Sequence, residues 1–211
     1  LILFVTLPIW KVNKKETAQE EKAEEEMVGI KGALKIKGVP NLLLGFFSYC
    51  ALESAVILWG SSYLVGAKGI SAERAAAGIT LGRFLAGFIT EKMGDHKMIR
   101  LGIAIILVGC IGMLLPVSID EFALFGLVIM GLGCAPIYPS IIHATPSNFG
   151  EKNSQAIIGI QMASAYVGST FMPPLFGLIA NHISVGLLPV YVLFFLILMF
   201  FMLEKTFKLV K

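Results

Sequence analysis

The chain has 211 residues, of which 56% are hydrophobic and only 15% are charged, and its mean hydropathy is +0.82. A soluble domain of this length needs more polar residues to cover its surface, so the composition excludes that class and indicates an integral membrane protein. The formal net charge of +3 does not argue for nucleic acid as a partner, because the basic residues lie where a membrane topology would put them.

The chain starts inside an apolar run. Residues 1–10, "LILFVTLPIW", begin with leucine and make up about half of the roughly 20 residues that a membrane-spanning helix requires. They lack the basic beginning and the small-residue cleavage site of a signal peptide. We therefore expect them to be the end of a preceding transmembrane helix, and the sequence to be a fragment of a longer protein.

Residues 11–38, "KVNKKETAQEEKAEEEMVGIKGALKIKG", form a long polar stretch. Lysine and glutamate are mixed there, and bulky apolar residues are almost absent from its first half. This composition is typical of a solvated linker, which we expect on the cytoplasmic side of the membrane.

Six hydrophobic segments follow the linker, separated by short breaks that carry turn or charge signals. They cover residues 39–64, 71–92, 98–116, 121–143, 153–180 and 187–203. Each is near or above the length that a bilayer requires, and backbone polar groups in lipid must be satisfied internally, so all six are predicted to be helices. The predicted fold class is an all-α membrane protein with a six-helix unit at 39–203 and a cytoplasmic tail at 204–211.

Lysine and arginine are distributed unevenly about these segments. If the linker is cytoplasmic, the cytoplasmic pieces hold 14 of the 17 basic residues. The opposite side holds Lys68 and Arg74, and Arg83 lies within a segment. Because cytoplasmic loops carry an excess of basic residues, this pattern favours a cytoplasmic linker and a cytoplasmic C-terminus in the cell (inner) membrane.

The first segment carries a carboxyl group at membrane depth. Glu53 lies about 21 Å above the cytoplasmic end of its helix, where an ionisable side chain costs several kcal/mol and usually faces a partner or a water-filled cavity. We expect either a cavity-facing group that binds solute or a proton, or a protonated, hydrogen-bonded packing residue. Tyr49 and Trp59 of the same segment are further candidates for solute binding.

The second segment contains an arginine. Arg83 lies about 13 Å above the cytoplasmic side, roughly 8 Å shallower than Glu53. An ion pair between the two requires Arg83 to reach outward. Bonding of Arg83 to backbone carbonyls, or to a helix outside the sequence, is the favoured interpretation, and it gives Arg83 a role in helix packing.

The fifth segment carries small and polar residues at helical spacing. Ser154, Gln161 and Gly168 recur every seven residues and share one face. Such a face most often packs closely against another helix; the alternative is a cavity-lining face with Gln161 as a ligand. The Pro173–Pro174 pair is expected to break or kink the helix.

Enzyme signatures are absent from the sequence, including HExxH, GxSxG, the P-loop and paired aspartates. The three cysteines, Cys50, Cys110 and Cys134, fall in apolar segments with no CxxC or His/Cys cluster, so they are interpreted as packing residues. We expect no catalytic residues, no cofactor and no metal site.

The break after the second segment has a recognisable pattern. Within "LGRFLAGFITEKMGDHK" the spaced residues are Gly87, Glu91, Lys92, Gly94 and Lys97. This resembles the cytoplasmic signature loop of the major facilitator superfamily, which has a glycine, three residues, an acid, a base, any residue, a glycine and then basic residues. Glu91 replaces the usual aspartate and Lys92 the usual arginine. Asp95 and His96 replace an expected basic pair, which suits the looser second copy of the loop between helices 8 and 9.

The resemblance implies a position in a twelve-helix fold. The charged linker looks like the central loop between two six-helix halves, so the chain is expected to hold the end of helix 6 and helices 7 to 12. The missing N-terminal half is then a required partner. We expect the signature stretch, with its five spaced residues, to be a conformational latch that closes the cytoplasmic side, and not a binding site.

Three segments are similar in sequence to the fucose permease-like branch of sugar–proton symporters. They are "ALESAVILWGSSYLV", "GRFLAGF" and "GIQMASAYVGSTFMPPLFGLIA". That branch implies that Glu53 and Gln161 face a central cavity. The expected function is secondary active transport of a small polar solute, a sugar or related metabolite, coupled to protons by alternating access. The alternatives are an efflux carrier for amphipathic compounds and a non-transporting membrane receptor or scaffold.

Overall fold

The computed structural model describes residues 29–75, 94–115 and 121–210. Every regular element in these ranges is helical, and they contain no strand. The helices are α1 (Ile30–Ala33), α2 (Val39–Lys68), α3 (Asp95–Leu114), α4 (Glu121–Cys134), α5 (Ile137–Phe149), α6 (Glu151–His182) and α7 (Leu188–Leu209), with a 3₁₀ turn at Val185–Leu187 before α7.

Five membrane-spanning candidates occur in the described ranges, since α4 and α5 together form one span. The predicted all-α membrane fold class is therefore confirmed. Residues 1–28 and 76–93 lie outside the described ranges, so the end of a preceding helix, most of the linker and most of the second segment stay predictions. The last span continues to Leu209, which makes most of the predicted tail helical.

Glycine and proline mark the ends of α2. Gly38 has a φ of 95°, a conformation that L side chains rarely adopt, and Pro40 follows in the first turn, where a missing N–H costs nothing. At the other end Gly69 has a φ of 70° and its N–H donates to Val65 O at 3.2 Å. The helix of 30 residues spans about 45 Å, more than a bilayer core needs.

α2 is the central helix of the described unit, because it packs along α6 on one side and α7 on the other. α3 packs along α4 and also contacts α5 and α7. The α3–α4 contact is close: a Cβ on Gly109 would lie 2.5 Å from Gly126 O, and one on Gly102 would lie 2.6 Å from Gly133 O. Small residues of this kind let two membrane helices meet backbone to backbone.

Of the break or kink predicted at Pro173–Pro174, the break does not occur, since α6 continues through both prolines to His182. Two neighbouring helices donate hydrogen bonds to carbonyls at this point. Tyr191 Oη of α7 donates to Met172 O at 2.7 Å, and Trp59 Nε1 of α2 donates to Pro173 O at 3.0 Å. These two bonds connect α6 to α7 and α2 next to the prolines. The carbonyls that the prolines themselves free are those of Ser169 and Thr170, four residues earlier in each case.

Candidate functional site

The Glu53 carboxyl lies near the middle of α2 and is half-buried. Tyr49 precedes it by four residues and Cys50 by three, so the three side chains share one face of the helix. Glu53 interacts electrostatically with Tyr49, with Cys134 at the end of α4 and with Tyr138 at the start of α5. The carboxyl is therefore held beside the point where the fourth span is interrupted.

Tyr49 connects α2 to that interruption. Its side chain is 1% exposed, and its hydroxyl donates to the carbonyl of Cys134, the last residue of α4, at 3.0 Å. A helix end leaves carbonyl groups without an intrahelical partner, and in a membrane such groups need a partner from the protein. The hydrogen bond from Tyr49 therefore fixes the end of α4 against the helix that carries Glu53.

Tyr138 and Tyr166 extend the site onto α5 and α6. The Tyr138 ring lies 5.1 Å from that of Phe46 and 6.3 Å from that of Tyr49, and its hydroxyl donates to Met162 Sδ at 3.2 Å. Tyr138 also interacts electrostatically with Tyr166. The two side chains are 38% and 71% exposed. The structure thus places one carboxyl and three tyrosines of α2, α5 and α6 in one group, called the tyrosine group below.

Sequence reasoning missed Tyr138 and Tyr166. A usable signal for Tyr138 is its place between Pro136 and Pro139, because an interrupted membrane helix is tolerated where it lines a cavity or is buried in protein. Tyr166 is a large ring within a run of small residues, "ASAYVGS", and a bulky side chain in a packing stripe has to point away from the packed face.

Gln161 is fully buried between α6 and α5. Thr145 Oγ1 lies 3.0 Å from Gln161 Oε1 and 3.0 Å from Ile141 O, but a hydroxyl has one proton and cannot donate to both. Within the described part of the chain Gln161 Nε2 has no hydrogen-bond partner. Rotation of the amide would let Nε2 donate to Thr145 Oγ1 and leave the Thr145 proton for Ile141. Gln161 therefore contacts α5 inside the helix bundle, and one of the two polar atoms of its amide has no hydrogen-bond partner among the described residues.

Trp59 lies on the Lys68 side of Glu53 and anchors α2 to α6. Besides the hydrogen bond to Pro173, its ring contacts Phe176 edge-on, with centroids 5.6 Å apart. A Cβ on Gly177 would lie 2.8 Å from the indole ring, so only glycine leaves room for it there. Trp59 also borders a cleft of about 320 Å³ with Ser62 and the two prolines.

Most of the predicted latch lies outside the described residues. Gly87, Glu91, Lys92 and also Arg83 fall in residues 76–93, whereas Gly94 and Lys97 are described. Gly94 has a φ of 76°, which favours glycine at this turn, and Lys97 is exposed.

Two polar side-chain contacts are close to the beginning of α3, next to the predicted latch. Asp95 Oδ2 lies 2.9 Å from His143 Nδ1 of α5. Arg100 donates from Nε to Glu204 Oε1 at 2.5 Å and from Nη2 to Oε2 at 2.9 Å. These contacts join the beginning of α3 to the middle of α5 and to the last turns of α7.

The side chains of the tyrosine group can form hydrogen bonds, bind a proton and make apolar contacts. A carboxyl group accepts hydrogen bonds or carries a proton, and phenolic hydroxyls donate and accept, so the group suits a solute with several hydroxyls. Aromatic faces add apolar contact area, as in most small-molecule sites. A carboxyl at membrane depth is by default a candidate for solute or proton handling.

Comparison with protein families identifies a match that covers much of the described helix unit. Residues 74–209 match the family model described as Major Facilitator Superfamily, which is more than half of the sequence. A comparison with curated proteins found no match.

Proposed function

The chain belongs to the major facilitator superfamily of secondary transporters, and we propose that it is the C-terminal half of a proton-coupled carrier for a small polar solute, a sugar or related metabolite. The grouping of Glu53 with Tyr49, one turn away on α2, and with Tyr138, whose ring lies 6.3 Å from that of Tyr49, is the observation that carries this proposal. It provides a protonatable group on α2 and, on α5 and α6, the hydroxyls of Tyr138 and Tyr166, whose side chains are exposed.

The proposed transport mechanism requires a second half. The described helix α6 exposes large apolar side chains along one side, with Tyr166 71%, Phe171 63% and Leu178 59% exposed. In the proposal this side meets an N-terminal six-helix half, and the solute binds between the halves near the middle of the membrane. Rocking of the halves then exposes Glu53 to one side of the membrane at a time.

An efflux carrier for amphipathic compounds is the second candidate. The same exposed side of α6 favours it, because an apolar, aromatic surface binds amphipathic molecules without many hydrogen bonds. The two functions differ in what Glu53 and the tyrosine hydroxyls do. A sugar symporter needs them for the solute and the proton, whereas an apolar efflux site needs mainly the rings.

Uptake into vesicles tests the proposal. We expect the assembled two-half transporter to take up a labelled sugar or polyol saturably, with faster uptake when an inward proton gradient is imposed, and residues 1–211 alone to show no uptake. The measurement compares a sugar panel with an amphipathic dye, with and without the gradient. Dye extrusion with no sugar uptake would favour the efflux carrier, and saturable uptake by residues 1–211 alone would refute the two-half arrangement.

The proposed orientation predicts opposite accessibility of two lysines. Lys68 Nζ donates to Leu115 O at the end of α3, whereas Lys97 lies in the first turn of that helix, about 27 Å away along its axis. Single cysteines at the two positions, in a background without the buried Cys50, Cys110 and Cys134, are expected to react with an impermeant reagent from outside and from the cytoplasm, respectively. Labelling of both from one side would contradict this topology.

A further inference from the structure

In the part of the chain that the structure describes, a groove runs between α3 and α7, on surfaces that the tyrosine group does not use. Its volume is about 500 Å³. Ile103 and Leu196 form its buried floor, and exposed apolar side chains such as Leu107 and Phe201 form its walls. Arg100 lies at one end of the groove. The groove therefore combines an apolar channel about two helical turns long with a cation at one mouth.

The charged mouth carries more positive than negative groups. Arg100 pairs with Glu204, which also interacts electrostatically with Lys208 one turn later on α7. Lys97 precedes Arg100 by three residues and so lies on the same face of α3. Lys205 follows Phe201 by four residues on α7, and all three lysines are exposed. Asp95, the acidic residue in the first turn of α3, is in contact with His143 on α5.

Arg100 keeps hydrogen-bonding capacity in spite of its ion pair. A guanidinium group has five N–H donors, and the two bonds to Glu204 use two of them. The Arg100 side chain is 55% exposed, so the remaining donors are within reach of an anion that enters from the membrane surface. Guanidinium and ammonium groups together are a favourable setting for phosphate oxygens.

We propose that this groove binds an anionic phospholipid, with one acyl chain along the apolar channel and the phosphate headgroup at Arg100, Lys97 and Lys208. The channel by itself gives no preference among lipids, because lipid tails are as apolar as the side chains that line it. The preference comes from the basic mouth, since basic pockets between membrane helices bind anionic headgroups. In the proposed orientation the mouth faces the cytoplasmic leaflet.

Lipid binding can be measured without transport, so its failure and the failure of the proposed function are distinguishable. Purified full-length protein is titrated with phosphatidylglycerol and with phosphatidylcholine of the same acyl chains, and bound lipid is counted by native mass spectrometry. Phosphatidylglycerol is expected to bind more tightly. Each basic residue near a headgroup contributes about 1 kcal/mol, so K97Q with K208Q should weaken phosphatidylglycerol binding by roughly 25-fold and leave phosphatidylcholine binding unchanged.

A matched pair of substitutions controls for net charge. Lys31 and Lys35 are exposed and lie in or next to α1, which packs against α6, whereas the groove is lined by α3 and α7. K31Q with K35Q removes the same charge and should leave phosphatidylglycerol binding within about twofold of the unsubstituted protein. Equal weakening by both pairs, or equal affinity for both lipids in the unsubstituted protein, would overturn the proposal.

Two further arms separate a lipid in the groove from an ion or a second protein chain. A104F fills the channel and should lower the binding of both lipids, while inorganic phosphate at the same concentration should not displace phosphatidylglycerol. Displacement by phosphate would show an ion site without an acyl chain. Loss of lipid preference on formation of a dimer would show that a second copy of the chain occupies the groove. Either result would contradict the lipid assignment.

Discussion

Replacing Glu53 by glutamine is expected to abolish proton-driven accumulation of solute while solute exchange continues. Glutamine keeps the shape and the hydrogen-bonding capacity of the site toward Tyr49, but it cannot take up and release a proton. A gradient of one pH unit is worth about 1.4 kcal/mol, so coupling of one proton to one solute sustains about tenfold accumulation. In E53Q that ratio should fall to one, because nothing links the solute to the gradient.

The measurement uses vesicles that contain the assembled transporter, with labelled solute on one side. Gradient-driven accumulation and counterflow exchange at zero gradient are recorded for the same preparation. E73Q is the matched control, since Glu73 is exposed and lies outside the tyrosine group; both of its rates should match those of the unsubstituted protein. Unchanged accumulation in E53Q would assign Glu53 to packing, and loss of both accumulation and exchange would assign it to solute binding alone.

The membrane-spanning helices were predictable from the sequence because their signal is local. A run of apolar residues longer than a bilayer core must form a helix wherever it packs, and five of the six predicted segments coincide with described spans. Glu53 was also identifiable, since a charge in such a run stands out against its neighbours. The partners of Glu53 could not be identified from the sequence, because Cys134 and Tyr138 are distant along the chain and only helix packing brings them close to Glu53.

Two features of α6 show where sequence reasoning reaches its limit. The stripe of Ser154, Gln161 and Gly168 allowed either packing or a cavity lining, because both place small and polar residues on one face. Gln161 and Gly168 are buried against neighbouring helices in the structure, which an isolated helical pattern cannot decide. The continuity of α6 through Pro173 departs from the local rule that a proline breaks or kinks a helix, and the hydrogen bonds that α2 and α7 donate beside it cannot be read from the sequence of α6.

The contact at Gly168 joins the two helices of the tyrosine group that lie side by side over much of their length. A Cβ there would lie 2.6 Å from Phe47 O and 3.4 Å from Ala51 N, both backbone atoms of α2 that cannot turn aside. One turn earlier, Ser164 Oγ donates to Leu43 O at 2.9 Å. The α2–α6 interface is therefore a backbone contact with an interhelical hydrogen bond beside it, as small residues allow in membranes.

Replacing Gly168 by alanine is expected to destabilise the protein strongly for so small a change. The added methyl group must push α6 away from α2, and overpacking of this kind costs about 1–3 kcal/mol. The matched control is Gly159, which lies on the same helix and where an added Cβ would meet no atom within 4 Å. G159A should be neutral or raise stability by about 0.5–1 kcal/mol through helix propensity. The midpoint of thermal unfolding in detergent, measured by loss of soluble monomer, should thus fall for G168A and stay unchanged or rise for G159A. A fall of similar size in both would show that α6 is sensitive to alanine for a reason other than its contact with α2.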